Sequence, residues 1–299
     1  MAENEPTNLP GESRYLGWVF LAPGLLIYAV FVLYPIFETV RTSFYQWDGF
    51  SASRTFVGLE NYRTLLQDNQ FFLALSHNLF AIFFYSILPI MLGLFLASLI
   101  GRAKLPGMTF FRVGLFLPQV ISMVVVGVIW RWIFNPVFGP LNVILKAVGL
   151  GALTRSWLGD FTWAMPAVGT VGTWVQYGFC MVLFLAGMQR ISPDYYEAAQ
   201  LDGANGWQQF RFITLPALRP EMIVALITTL IAALKIFDLI FVTTKGGPGD
   251  QTLVASFLVY RSAFELNRIG YAAAVATVLA LVIFAISFFI LRFQAEPEE

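Results

Sequence analysis

At 299 residues, with 58% hydrophobic and 12% charged side chains, the chain is too apolar for an ordinary soluble domain and belongs in a bilayer. A formal net charge of zero supplies no long-range field for nucleic acid. A single cysteine, Cys180, and a single histidine, His77, exclude an internal disulfide and clustered cysteine or histidine metal chemistry.

The leader, 1–14, carries Glu3, Glu5 and Glu12 where a signal peptide would be positive, so it reads as a short cytoplasmic tail without a cleavage signal. A span needs about 20 apolar residues. Segments 16–36, 79–100, 113–132, 163–185, 222–243 and 271–291 qualify, which predicts an all-α membrane protein of six transmembrane helices with both termini on one side. Arg102, Lys104 and Arg112 form the densest positive cluster, in the 101–112 turn, while the 38–70 and 135–162 loops are dilute and mixed. Positive residues mark the cytoplasmic side, which favours it for both termini, the 101–112 turn and the 192–216 loop, but the 245–270 loop also holds Lys245, Arg261 and Arg268. The expected organisation is a tail at 1–14, a first helix with its outer loop at 15–73, a helical core at 74–291 and a second tail at 292–299.

Outside the membrane, 45–48 and 58–62 supply aromatic and turn residues, and 139–160 is an amphipathic segment suited to the interface. The Thr-Lys-Gly-Gly-Pro run at 244–248 lacks the Gly-Lys-Ser/Thr of a phosphate cradle and reads as a tight turn at a helix end.

Polar groups inside a membrane either have partners or do work. Lys235 and Asp238 fall in the fifth predicted span, three residues apart, where one helical face allows an ion pair; a place in a substrate path is the other reading. In the fourth span Trp174, Gln176, Tyr177 and Phe179 mix rings with an amide. Such a lining suits a sugar, whose C–H faces pack on rings while hydroxyls need polar partners, and helix packing also accounts for the rings.

The polar stretch at 192–216 reads as two short helices around a glycine. Ser192 is placed to cap, Pro193 fits a first turn and Asp194 faces the positive helix end. Gly203 suits a left-handed stop, Asn205 with Gln208 makes a capping box, and the second helix is expected to end before Pro216.

Glu197-Ala198-Ala199, followed by Gly203, Ile213 and Leu215-Pro216 without gaps, resembles the EAA loop of ATP-binding-cassette importer permeases. The resemblance implies a type I importer transmembrane domain, with Glu197, Ala198, Ala199, Leu201, Asp202, Gly203 and Ala204 as the coupling segment that docks on a separate ATPase subunit. It also implies the cytoplasmic side for the 192–216 loop and the termini. Ile236-Phe237-Asp238, the 244–248 turn, Thr252, Ala263-Phe264 and Gly270-Tyr271-Ala272 resemble the carbohydrate branch, as do Pro35-Ile36, residues 57–62 and 139–142. Within it the similarity is to the maltose, lactose and glycerol-phosphate-type first permease. Two leading helices and a large periplasmic insert of the best-known maltose permease have no counterpart in this sequence, so only the six-helix core is carried over.

That resemblance places sugar-lining positions at Gly172, Val175, Gln176, Phe179, Thr229, Ala232, Ala233 and Ile236. Several are more polar in the maltose permease, notably where Ala233 and Ile236 stand here, which shifts the expected polar contacts to Gln176, Thr229 and Lys235. It further implies a second homologous permease, two ATPase subunits that hold ATP and Mg, an extracytoplasmic sugar-binding protein, surrounding lipid, and a bacterial or archaeal cytoplasmic membrane. No cofactor, metal or nucleic acid is expected on this chain. Sugar or polyol import by alternating access is the leading reading. An ion-gradient-driven transporter is the alternative, with Asp238 as its only deep carboxylate. An embedded enzyme would need a convergent acid–base pair or an activated nucleophile. His77 reads instead as a solvated or capping residue, and Cys180 as an inert thiol.

Overall fold

A computed structural model describes residues 16–101 and 107–294. The 1–14 leader, residues 295–299, and Arg102 and Lys104 of the positive cluster lie outside them. Among the described residues five helices are long and apolar enough to cross a bilayer, and one bent pair supplies a sixth crossing if its arms count together.

The five are Trp18–Thr42, Asn69–Gly101, Ala164–Met188, Arg219–Thr243 and Ile269–Arg292, here the first, second, fourth, fifth and sixth spans. The second has 33 residues, about 50 Å at 1.5 Å per residue, and so outruns a hydrocarbon core of about 30 Å. Its first ten residues, ahead of the expected span at 79–100, are helical because Asp68 caps them by accepting from the Gln70 amide at 2.8 Å.

Three prolines that interrupt a regular helix are accommodated in the same way. Pro35, Pro89 and Pro216 each lie just beyond a π turn, at Ala29–Leu33, Phe83–Ile87 and Phe210–Thr214. In each case the residue before the proline donates to the carbonyl five back: Tyr34 to Ala29, Leu88 to Phe83 and Leu215 to Phe210. The wider turn makes room for a ring that would otherwise strike the carbonyl four residues earlier. The first span therefore runs on to Thr42, beyond the expected end at 36, and helix continues through Pro216 to Ala217 where a stop was expected.

The third expected span, 113–132, is instead two helices, Met108–Val120 and Met123–Ile133, bent by 98°. Pro118 weakens the last turn of the first arm, and Ile121 and Ser122 take extended backbone with ψ of 135°. Apolar composition continues across the break and conceals it.

Close packing centres on the fourth span. A Cβ added at Gly93 of the second span would meet the Cys180 Cβ at 2.5 Å, and one at Gly178 would meet the Leu115 carbonyl at 2.4 Å. Small residues here let backbones approach, the usual way helices associate in lipid. The first span is exposed along most of its length and packs against the sixth through its last turns.

At the end of the bundle away from the 192–216 loop, Tyr45–Gln46 and Thr55–Phe56 form an antiparallel hairpin. Its Asp48 accepts from the Ser51 hydroxyl and from the Ser51 and Phe50 amides, which holds its carboxyl down to about 2. The 244–248 run is a turn, as its composition predicts, and leads into a helix, Ala255–Tyr260, where the six expected spans leave a loop. Asp250 ties this region together, paired with Arg261 at 2.7 Å and accepting from Gln70 Nε2 at 3.0 Å. His77 is partnered, with Nδ1 2.8 Å from the Leu253 carbonyl.

Candidate functional site

The 192–216 segment is an elbow held by its own local chemistry. Ser192 caps the Pro193–Leu201 helix, accepting from the Asp194 amide at 3.3 Å. Gly203 takes φ +80°, and the Ala204 amide reaches back to the Ala199 carbonyl at 2.8 Å. Asn205 and Gln208 close the capping box at 2.7 and 2.9 Å. Two ties join its arms: Tyr196 Oη meets Thr214 Oγ1 at 2.9 Å, and Gln209 Nε2 donates to the Ala204 carbonyl at 3.0 Å.

Glu197, Ala198, Leu201, Asp202 and Gly203 are exposed, and Ala199 and Ala204 are half-buried. Leu201 is 90% exposed at the tip. Arg190, at the end of the fourth span, pairs with Glu221, at the start of the fifth, and so the two chain ends that carry the elbow are clasped. Glu221 is 5% exposed and its Oε2 has no partner among the described residues.

The fifth span is broken. Its helix Arg219–Leu234 stops, and a shorter one, Asp238–Thr243, begins after three residues. The break overturns the expected ion pair: Lys235 and Asp238 no longer share a helical face, and no pairing joins them among the described residues. Both are exposed on a cleft of about 270 Å³ that they line with Tyr85, Ala232, Ile236 and Phe237, among others. Lys235 also borders a separate, mostly apolar groove against the sixth span.

Of the expected lining residues, Ala232, Ile236 and Lys235 come together in this cleft. Gly172 is buried under the Tyr85 ring, so close that an added Cβ would lie 1.9 Å from Tyr85 Cε2. Val175 and Ala233 belong to the packed core behind it. Thr229 is fully buried, its hydroxyl shared between Ser86 at 2.7 Å and the Ala225 carbonyl at 2.7 Å. Phe179 packs in a second cluster, with Cys180 and Phe184. Gln176 is 6% exposed and makes no hydrogen bond among the described residues.

Sequence reasoning missed the residues that hold the break open. Asn78 is fully buried; its Nδ2 donates to the carbonyls of Ala233 and Leu234, both at 3.2 Å, and its Oδ1 accepts from the Ala255 amide at 2.8 Å. Ser256 Oγ donates to the Ile236 carbonyl. Tyr85 is 1% exposed, and its hydroxyl has no partner among the described residues. An asparagine and a tyrosine in an apolar helix were signals available from the outset.

Residues 89–297 match the family described as "Binding-protein-dependent transport system inner membrane component". A probable ABC transporter permease of Bacillus subtilis, YurN, is 39% identical over 96% of this chain and 99% of its own length. The lactose transport system permease LacF of Rhizobium radiobacter is 35% identical over 100% and 99%. Crystal structures of a bacterial ABC transporter for the acidic polysaccharide alginate superpose with a TM-score of 0.80 at 25% identity. They cover 93% or more of this chain and 94% of theirs, and one holds an alginate-loaded periplasmic protein. An elbow between the fourth span and the broken fifth, on a multi-pass helical frame shared with an ABC importer, thus places this chain in the binding-protein-dependent transport system inner membrane component family, as a permease subunit.

Proposed function

We propose that this chain forms one half of the membrane pathway of an ATP-driven importer for a sugar or related polyol. A second, homologous permease completes the pathway, two ATPase subunits hold ATP and Mg, and an extracytoplasmic binding protein delivers the sugar. The elbow and both termini face the cytoplasm. One observation carries the reading: the elbow presents an apolar tip, Leu201, flanked by exposed Glu197 and Asp202, at the end of a rigid, internally tied unit. Ala198, Ala199, Gly203 and Ala204 keep that surface small enough to enter a groove.

Motion passes inward because the elbow cannot flex independently of the spans that the Arg190–Glu221 clasp joins. Closure of the ATPase pair moves it as a lever and swings the spans between inward- and outward-facing states. Sugar contacts fall to Gln176, Lys235, Ala232 and Ile236. Gly172, Val175, Phe179, Thr229 and Ala233 shape the wall behind them and come to the path as the spans separate.

The test is co-purification with an ABC ATPase subunit of the same organism, followed by sugar-stimulated ATP hydrolysis in proteoliposomes. Glu197→Lys and Leu201→Glu are each expected to lower ATPase retention at least tenfold. Full retention in both variants, with uptake driven by a proton gradient alone, would establish the ion-coupled alternative instead.

A further inference from the structure

We propose that the cleft at the fifth-span break is a charge-balanced site that takes uncharged polyhydroxyl substrates and discriminates against sugar phosphates and uronic acids, with Asp238 as the deciding group. This rests on the importer reading above and narrows its substrate class. Lys235 taken alone would favour an anion. Asp238 shares its cleft, is exposed to it, and has no cationic partner among the described residues. An acid in the first turn of a helix is favoured by the helix dipole. That accounts for a carboxylate at the start of Asp238–Thr243, and not for an unpaired ammonium facing the same space.

The unmet hydrogen-bonding groups form a complementary set. A carboxylate only accepts, an ammonium only donates, and a phenol does either. The Tyr85 hydroxyl is buried and unpartnered at the cleft wall, and Phe237 adds an apolar face. Neighbouring hydroxyls on a sugar ring meet all of these at once: two O–H groups donate to Asp238, their oxygens accept from Lys235, and a further hydroxyl reaches Tyr85. The anionic group of a phosphate or uronate satisfies Lys235 but, being deprotonated, cannot donate to Asp238, and its charge beside that carboxylate is repelled. The volume of about 270 Å³ lies at the low end for small-molecule sites, which fits passage of one ring at a time.

The experiment uses the whole complex, with its ATPase, second permease and binding protein, reconstituted in proteoliposomes. Lactose, maltose and raffinose stand for neutral sugars, and glycerol 3-phosphate and digalacturonate for anions; whichever bind the cognate binding protein are assayed for uptake. Neutral probes alone should be transported. Asp238→Asn should raise KM for the best neutral probe at least tenfold, with Asp238→Glu recovering most of the loss. Tyr85→Phe, which removes one oxygen and leaves the ring on Gly172, should raise KM about threefold and supplies the test should the Asp238 variants fail to assemble. Preferential transport of an anionic probe overturns the inference and leaves the importer reading intact, as does an unchanged KM in both Asp238→Asn and Tyr85→Phe. Absence of any sugar-stimulated ATP hydrolysis in the wild-type complex removes both.

Discussion

The elbow and the fifth-span break are both places where a helix stops and restarts within a few residues, yet they are held in opposite ways. At the elbow the fastenings described above come from within the segment or its immediate flanks: Ser192, the Asn205–Gln208 box, and Tyr196 on Thr214. At the break the main fastening comes from far away in sequence, Asn78 of the second span, and Ser256 of the helix beyond the next turn adds to it. A locally fastened unit can be pushed as a body, which suits docking. A remotely fastened one changes when its neighbours move, which suits a site that must open and close.

The sharpest way to break this contrast is at Asn78. Its amide serves two carbonyls and one N–H freed by the break and by the start of Ala255–Tyr260. Asn78→Leu keeps the volume and leaves all three groups in an apolar interior. Hydrogen bonds inside membrane proteins average under 1 kcal/mol each, and orphaned buried groups cost more, so a loss of about 3 kcal/mol is expected. Thermal unfolding of the purified complex reads it. Uptake should fall while ATPase retention holds, because the elbow does not depend on this residue. Loss of ATPase retention as well would show the two regions to be one unit.

Legibility in the sequence follows the same division. Ser192, Pro193, Gly203 and the capping box act within a few residues of themselves, so spacing alone revealed the elbow. The break in the fifth span, and the lost pairing of Lys235 with Asp238, depend on Asn78, 155 residues before the Ala233 carbonyl it holds. No periodicity argument reaches that far. The 98° bend after Pro118 was hidden for a different reason: its two arms are equally apolar. Pro216 misled because a proline usually ends a helix, and the π turn that admits it shows in the backbone bond from Leu215 to Phe210, not in composition.

A middle-sized effect is expected where the elbow meets the membrane. Arg190 is largely exposed and Glu221 is buried, so Arg190→Ala removes the one partner, among the described residues, of a carboxylate whose other oxygen has none among them. Breaking a fully buried pair costs about 3–5 kcal/mol. With one member in solvent, about 2 kcal/mol is the reasonable expectation. Its functional signature is a changed coupling ratio, with more ATP hydrolysed per sugar moved at unchanged ATPase retention, because the lever stays docked while its clasp slips. An unchanged ratio in a stably assembled variant would move force transmission to the Tyr196–Thr214 tie.

The smallest effect separates two glycines. Gly172 is confined by volume, with the Tyr85 ring against it, whereas Gly203 is confined by backbone alone: φ is +80° and nothing lies within 4 Å of an added Cβ. Gly203→Ala therefore meets only the left-handed penalty, about 1 kcal/mol. Since the capping box and the Tyr196 tie do not pass through residue 203, the elbow should keep its shape, and the complex should melt only slightly earlier with its ATPase retained. If Gly203→Ala instead stripped the ATPase from a complex of unchanged melting temperature, the open space beside Gly203 would be where the partner lies. The turn, already part of the small docking surface, would then lie too close to the partner to admit a methyl group.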